Sequence, residues 1–274
     1  MNKIVTFIVC CCLLTACSHK TVKVAKSKSF SKIIRSKDYE YKYKMAEQFY
    51  AEKKYSFAQQ LYEDLFPYIK GTERYEDMFY KVAYCYYYQR DYANAENYFK
   101  TFTETFPGSK KAEECDFMRA YTYYKQSPAV NLDQTNTNKA MNMMQAFINT
   151  HPNSTRIKEA NTIIDQCREK LEEKDAKSAQ LYFDMGYFKA ASIAYATVNE
   201  NFPDSRKGDE YKWKSIEAYY KYAELSFEEK QQERFEKIVA DCTDFNERFS
   251  DSKHLQDVAK IKNQSLEYLK KIKK

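Results

Sequence analysis

The chain has 274 residues and a net charge of +6, and only four of its residues are glycine and three are histidine. So few glycines exclude a glycine-rich phosphate-binding loop, and no histidine lies at metal-ligand spacing from cysteine or acidic residues. A serine-nucleophile motif is also missing from the sequence. We therefore predict no catalytic residue, no metal and no cofactor, and an enzyme is the least favoured class of protein.

The N-terminus has the features of an export signal. Lys3 precedes an apolar run over residues 4–14, which is shorter than the roughly 20 residues that a membrane-spanning helix needs. The small residues Thr15 and Ala16 stand between this run and Cys17, and this arrangement resembles the lipobox of bacterial lipoproteins. The resemblance implies a signal peptide over residues 1–16 and acylation, including palmitate, at Cys17. The alternative is an ordinary secretory signal followed by a chance cysteine.

A strongly basic segment comes next. Residues 18–37 contain seven lysines and arginines and no acidic residue, which predicts that residues 17–37 form the lipidated cysteine and a disordered tether. Together with Lys3 they account for +8, so residues 38–274 carry a net charge of −2. The folded part thus offers no basic stripe for nucleic acid. The tether suits an anionic membrane surface, or it serves only as a solvated leash.

Internal repeats organise the rest of the chain. Ala46, Ala83 and Ala120 are spaced by 37 residues, and Ala58 and Ala95 repeat the same step. This pattern is similar to the tetratricopeptide repeat (TPR), in which small residues lie where two antiparallel helices cross. The predicted fold class is all-α, a TPR-like right-handed superhelical solenoid of about five helix-turn-helix units with a C-terminal helix.

The unit boundaries follow from short terminators that end in serine and mostly contain proline, at 106–109, 151–154, 202–205 and 249–252. They divide the folded part into an N-terminal region, 38–152, and a C-terminal region, 153–274. The predicted elements are units at 38–70, 74–107 and 112–152 with an inserted loop at 126–138, a helix at 156–177, a fourth unit ending near Pro203, a fifth at 209–252 and a last helix at 253–272.

Aromatic residues recur at the positions that line the inner groove of a TPR solenoid. Eight of these nine positions in the first three units are aromatic: Tyr43, Tyr50, Tyr80, Tyr84, Tyr87, Phe117, Tyr121 and Tyr124. Tyrosine combines a large contact area with a polar tip, which suits a groove for an extended peptide. We expect this groove to bind apolar or aromatic peptide ends. The alternative is that these side chains are surplus core in a tyrosine-rich protein.

Four cysteines follow the export signal within the folded part. Cys85, Cys115, Cys167 and Cys242 all lie in apolar helical contexts, which favours buried free thiols. Disulfide bonds stay open as the alternative, because an exported protein reaches an oxidising compartment.

The segment 127–134 reads Ser-Pro-x-x-x-x-Asp-Gln, and this insertion, with the stretch from Cys167 to Ser205, resembles the BamD lipoproteins. The resemblance implies a non-catalytic outer-membrane lipoprotein of the β-barrel assembly machinery, anchored on the periplasmic face. It implies that the N-terminal repeats receive C-terminal segments of unfolded outer-membrane β-barrel proteins. It also implies that the C-terminal repeats dock on a POTRA domain of the barrel subunit BamA.

One departure from the family bears on docking. Some relatives have a basic residue in the second helix of the fourth unit that pairs with an acid of BamA, whereas Ala191–Tyr195 contains none. We therefore assign docking to Arg206, Lys207 or Lys212. The main alternative function is another periplasmic TPR adaptor that coordinates envelope complexes, and a glycan-binding surface lipoprotein is a more distant one.

Overall fold

A computed structural model describes residues 29–272, and within that range it contains helices and no strand. The predicted signal peptide, Cys17 and the tether up to residue 28 lie outside the described residues. The helices are α1 Tyr39–Ala51, α2 Tyr55–Ile69, α3 Glu73–Tyr88, α4 Tyr92–Thr105, α5 Ala112–Lys125, α6 Thr135–Thr150, α7 Ile157–Asp184, α8 Phe188–Asn201, α9 Gly208–Glu224, α10 Glu228–Arg248 and α11 Leu255–Ile272.

Consecutive helices pack as antiparallel hairpins, and alanines stand at their crossings. Ala46, Ala83 and Ala120 on the first helices and Ala58 and Ala95 on the second are all 0% exposed. A larger side chain at these points would hold the paired helices apart, so the 37-residue spacing of alanine fixes where they meet. The predicted all-α, TPR-like fold class is confirmed.

The serine that ends each of the four terminators makes the same pair of hydrogen bonds. Each hydroxyl donates to a carboxylate of the repeat that it closes, over 2.6–2.7 Å. The same oxygen accepts the backbone N–H two residues later, at 3.0–3.1 Å, at the start of the next helix. One side chain thus ends one repeat and caps the next. The pairs are Ser109 with Glu76, Ser154 with Glu113, Ser205 with Glu172 and Ser252 with Asp209.

The chain divides into two compact units. Unit 1 runs to Ser127 and resumes over Thr135–Ile164, and unit 2 comprises Pro128–Gln134 and the chain from Asp165 onward. The division falls inside α7, whereas the sequence placed it between residues 152 and 153. The difference arises because α7 is one uninterrupted helix, and its C-terminal half packs with α8, as the hydrogen bond from Tyr195 to Gln180 at 2.7 Å illustrates.

Two predicted element boundaries also differ from the structure. The helix predicted over 156–177 continues to Asp184 and supplies the first helix of the fourth unit, since no glycine or proline interrupts it. The predicted tether reaches too far, because residues 29–34 are helical and Ile33 is 5% exposed. Phe30, Ile33 and Ile34 have the i, i+3, i+4 spacing of an apolar helix face and pack against the first core cluster.

The inserted loop of the third repeat is an ordered part of unit 2. The side-chain amide of buried Gln134 donates to the carbonyl oxygens of Ala129, Val130 and Leu132 at 2.9–3.2 Å. The ammonium groups of Lys170 and Lys174 on α7 donate to carbonyl oxygens of the same loop, at 3.1 and 2.6 Å. These bonds satisfy backbone groups that no helix satisfies.

The four cysteines of the described chain are free and buried, as the sequence favoured. Burial raises the pKa of the Cys85 and Cys242 thiols to about 12. Among residues 29–272, no helix is both long and apolar enough to cross a membrane.

Candidate functional site

Unit 1 contains an aromatic cavity of about 490 Å³, formed by first helices of the repeats and the start of α7. It brings together six of the eight predicted groove residues. The residues that line it are Tyr50, Tyr80, Tyr84, Tyr87, Tyr88, Glu114, Phe117, Met118, Tyr121, Arg156 and Glu159. This cavity is named the tyrosine groove below.

The aromatic side chains of the tyrosine groove differ in depth. Phe117 is 0% exposed and Tyr84 is 8% exposed, so they form its floor and belong to the core. Tyr80, Tyr87 and Tyr121 are half-buried and present ring surface to the cavity. The Tyr87 and Tyr121 ring centroids lie 6.3 Å apart, although the two residues come from successive repeats. The floor residues are thus part of the core, whereas Tyr80, Tyr87 and Tyr121 form the walls of the cavity.

Glu114 on α5 fixes two of these tyrosines. Its carboxylate accepts hydrogen bonds from the hydroxyl groups of Tyr80, at 2.8 Å, and Tyr84. Burial in the first place, with this carboxylate, raises the pKa of the Tyr84 hydroxyl far above its usual value. The polar tips of Tyr80 and Tyr84 are therefore already engaged, and only their rings are available to a peptide.

Two predicted groove residues lie outside the cavity. Tyr43 is half-buried, packs against the first core cluster and has the guanidinium of Arg74 4.8 Å from its ring centroid. Tyr124 is half-buried, with its ring centroid 5.7 Å from that of Tyr121. They extend the aromatic surface on either side without lining the cavity itself.

Charged residues alternate with the aromatic rings, and sequence reasoning missed them. Arg74 pairs with Glu40 at 2.7 Å, and Lys111 pairs with Asp77 at 2.7 Å. Each pair joins residues 34 apart, so it recurs from repeat to repeat. The signal was present in the sequence, because Glu40, Asp77 and Glu114 follow the same 37-residue step as the alanines.

The same bases also stack on aromatic rings. Each cation lies over the ring of a residue that stands three positions before the buried alanine of its repeat. The stacked pairs and their distances to the ring centroid are Arg74 on Tyr43 at 4.8 Å, Lys111 on Tyr80 at 4.8 Å and Arg156 on Phe117 at 3.9 Å.

The three residues predicted to dock a partner all lie in unit 2, but they do not form one site. Arg206 and Lys207 are exposed at the border of a cavity of about 640 Å³ whose other charged residues are mostly acidic. Lys212 is instead held by Asp244 at 2.8 Å and Asp241 at 3.7 Å. Its ammonium group is engaged within the unit, so Arg206 and Lys207 are the better candidates of the three.

Unit 2 also has an exposed apolar edge that sequence reasoning missed. Met185 and Tyr187 lie in the turn between α7 and α8, and each is 56% exposed. Leu225 and Phe227, in the turn between α9 and α10, are 74% and 87% exposed. Both turns are at the same end of their hairpins, and the Lys189 ammonium lies 5.8 Å from the ring centroid of Tyr222 between them. Clustered exposed apolar side chains mark surfaces that bind other proteins.

Paired helices, repeat-capping serines and an aromatic groove define a helical-repeat protein of the TPR class. A model of the family described as YfiO, outer membrane lipoprotein, matches residues 35–238, so the chain belongs to this family, the BamD lipoproteins. No curated protein matches the chain.

Two solved structures resemble the chain at low sequence identity. The TPR2AB domain of yeast Sti1 in its pHSP90 complex has 13% sequence identity, a TM-score of 0.41, and coverage of 83% of this chain and 98% of that one. The apo form of RapI has 15% identity, a TM-score of 0.34, and coverage of 86% of this chain and 99% of that one.

Proposed function

We propose that the chain is a non-catalytic scaffold of the outer-membrane β-barrel assembly machinery, anchored on the periplasmic face through Cys17. Its tyrosine groove receives C-terminal segments of unfolded outer-membrane proteins. The observation that carries this proposal is the cavity of about 490 Å³ lined by aromatic rings from successive repeats. Membership of an outer membrane lipoprotein family supports the same location and machinery.

The groove chemistry suits the end of a strand that has not yet folded. Such a segment alternates apolar and polar residues, and its apolar side chains gain by leaving water for the rings of Tyr87 and Tyr121. Three or four such anchors, each worth roughly 1.5–3 kcal/mol before ordering costs, leave an affinity nearer micromolar than nanomolar. Binding of this strength permits release to the next component.

Substitutions of the wall residues Tyr87 and Tyr121 test the groove and leave the buried residues of its floor in place. We expect Tyr87→Ser with Tyr121→Ser to weaken binding of an apolar peptide with a C-terminal phenylalanine at least about tenfold, since both rings leave the contact surface. Fluorescence anisotropy with full-length protein in detergent measures this affinity. The matched control is Tyr41→Ser with Tyr68→Ser, two exposed tyrosines outside the groove. Equal affinity of the wall variant and the wild type would refute the groove.

Unit 2 is proposed to dock on the POTRA domain of a BamA-like subunit. Two surfaces compete for this role: the apolar edge with Leu225 and Phe227, and the exposed bases Arg206 and Lys207. Apolar side chains that are mostly exposed are costly unless a partner covers them, so we favour the edge.

Paired substitutions show which of the two surfaces docks the BamA-like subunit. We expect Leu225→Ser with Phe227→Ser to reduce recovery of the BamA-like subunit with the anchored protein in mild detergent. Arg206→Gln with Lys207→Gln should leave recovery near the wild-type amount. The reverse order would assign docking to the bases. If the wild-type protein recovers no such subunit, the chain is a periplasmic TPR adaptor of another complex.

A further inference from the structure

Arg156 follows the third repeat in the same way as Arg74 and Lys111 follow the first two. All three cations stack on the aromatic residue that precedes the buried alanine by three positions. Arg74 and Lys111 also pair with an acid of that repeat, Glu40 and Asp77. Among residues 29–272, however, no ion pair joins Arg156 to Glu114, the corresponding acid.

Glu114 differs from Glu40 and Asp77 in the partners of its carboxylate. Glu114 accepts the hydroxyl groups of Tyr80 and Tyr84 instead of an arginine. The ion pair of Arg156 within the described chain is made by Nε with Glu159, at 3.4 Å. The two terminal nitrogen atoms of the guanidinium therefore stay available to a ligand. They form a fork that matches the two oxygen atoms of a carboxylate.

We propose that Arg156 is the carboxylate-binding residue of the tyrosine groove, and that its terminal fork binds the free C-terminal carboxylate of the client peptide. The inference rests on the proposed function and adds the group that the groove recognises. Arg156 lines the cavity, its side chain is 31% exposed, and its guanidinium lies 3.9 Å from the Phe117 ring centroid. That stacking, together with Glu159 on Nε, holds the fork in one orientation.

The two acids in the cavity do not prevent this binding. Glu114 receives two hydroxyl donors, and Glu159 is paired with Arg156 itself. A ligand carboxylate thus meets one unfilled cationic edge among aromatic rings, where water is partly excluded and a charge-assisted hydrogen bond is stronger than in bulk water. A peptide amide has the same side chains but lacks the charge and the second oxygen.

The test compares two peptides that differ only at the C-terminus. The probe is a synthetic peptide of about ten residues, the length of a membrane strand, with alternating apolar residues and a final phenylalanine, as the free acid and as the amide. With full-length wild-type protein in detergent, we expect the acid to bind about tenfold more tightly than the amide. In Arg156→Gln the acid should lose its advantage and the two affinities should become equal, and Arg156→Lys should retain part of the preference.

Controls separate this inference from the proposed function and from misfolding. Arg90→Gln, an exposed arginine of unit 1 outside the groove, should keep the wild-type preference for the acid. Circular dichroism and the urea-unfolding transition report whether Arg156→Gln has folded. Equal binding of both peptides by the wild type, or an unchanged preference in Arg156→Gln, would overturn the role of Arg156 alone. Binding of neither peptide would overturn the groove as well.

Discussion

At the scale of single residues, the buried alanines are the most constrained positions. Ala83 is 0% exposed where α3 crosses α4, so a larger side chain must push the helices apart. We expect Ala83→Leu to lower the free energy of unfolding by about 1–3 kcal/mol, measured by urea denaturation. Ala93→Leu is the matched control, because Ala93 is exposed on α4, and it should change stability by less than about 0.5 kcal/mol. Equal effects of the two substitutions would contradict the crossing role.

Tyr87 should make the stability of the folded protein depend on pH. Burial, and to a smaller extent the neighbouring Tyr121, raises the pKa of Tyr87 from 10.0 to about 12. The folded state therefore holds this proton more tightly than the unfolded state, so the stability due to Tyr87 is present below pH 10 and is lost as the pH rises towards 12. The wild type should lose stability relative to Tyr87→Phe over this range in urea titrations. A constant difference would show that Tyr87 titrates normally.

At the scale of elements, the terminator serines connect successive repeats. Ser252 donates to Asp209 at 2.7 Å and accepts the N–H of His254 at 3.0 Å. We expect Ser252→Ala to destabilise unit 2 by about 1 kcal/mol, the usual cost of a lost helix cap. The emission of Trp213, whose ring stacks on His254 at 4.1 Å, reports unfolding at this place. Ser250→Ala is the control, since Ser250 is exposed in the same terminator. If both variants unfold alike, the serine does not cap the repeat.

The turns inside the hairpins contain a second repeated feature. Lys53, Arg90 and Gly186 occupy the same place in three of these turns, with φ of 58°, 63° and 78°. Only glycine adopts this left-handed region without strain, so Arg90→Gly should stabilise the protein by about 0.5 kcal/mol, net of the entropy that glycine adds to the unfolded chain. Gln89→Gly, at φ −77°, should instead destabilise it by up to about 1 kcal/mol. Thermal unfolding compares the two, and destabilisation by Arg90→Gly would refute the strain.

The sequence predicted the positions of helix crossings and helix ends correctly where the same residue types recur in successive repeats. The alanine spacing predicted the helix crossings, and the terminators predicted the ends of α4, α6, α8 and α10 within a few residues. It did not distinguish the buried Tyr84 and Phe117 from the half-exposed Tyr87 and Tyr121, because depth depends on how adjacent repeats pack. The role of Arg156 was hidden for a similar reason, since the loop insertion changes its spacing from Glu114 relative to the earlier pairs.

At the scale of the whole molecule, charge and apolar surface are distributed unevenly. The region from residue 38 onward carries a net charge of −2, and the positive charge of the chain is concentrated before it. Unit 1 contains the tyrosine groove, and unit 2 contains the exposed apolar edge. Because the tyrosine groove and the apolar edge belong to different compact units, substitutions in the groove should leave partner recovery intact, and substitutions in the edge should leave peptide affinity intact.

Attachment to the membrane through Cys17 can be distinguished from attachment through the basic tether. Acyl chains on Cys17 would contribute about 0.8 kcal/mol per buried methylene, and salt would not screen this contribution, whereas the attraction of a basic tether to lipid is screened. We therefore expect Cys17→Ser to move the protein into the soluble fraction after a high-salt wash. Replacing Lys20, Lys23, Lys26 and Lys28 with Gln should leave it in the membrane fraction under the same wash. Retention of Cys17→Ser would show that lipid on this cysteine is not the anchor.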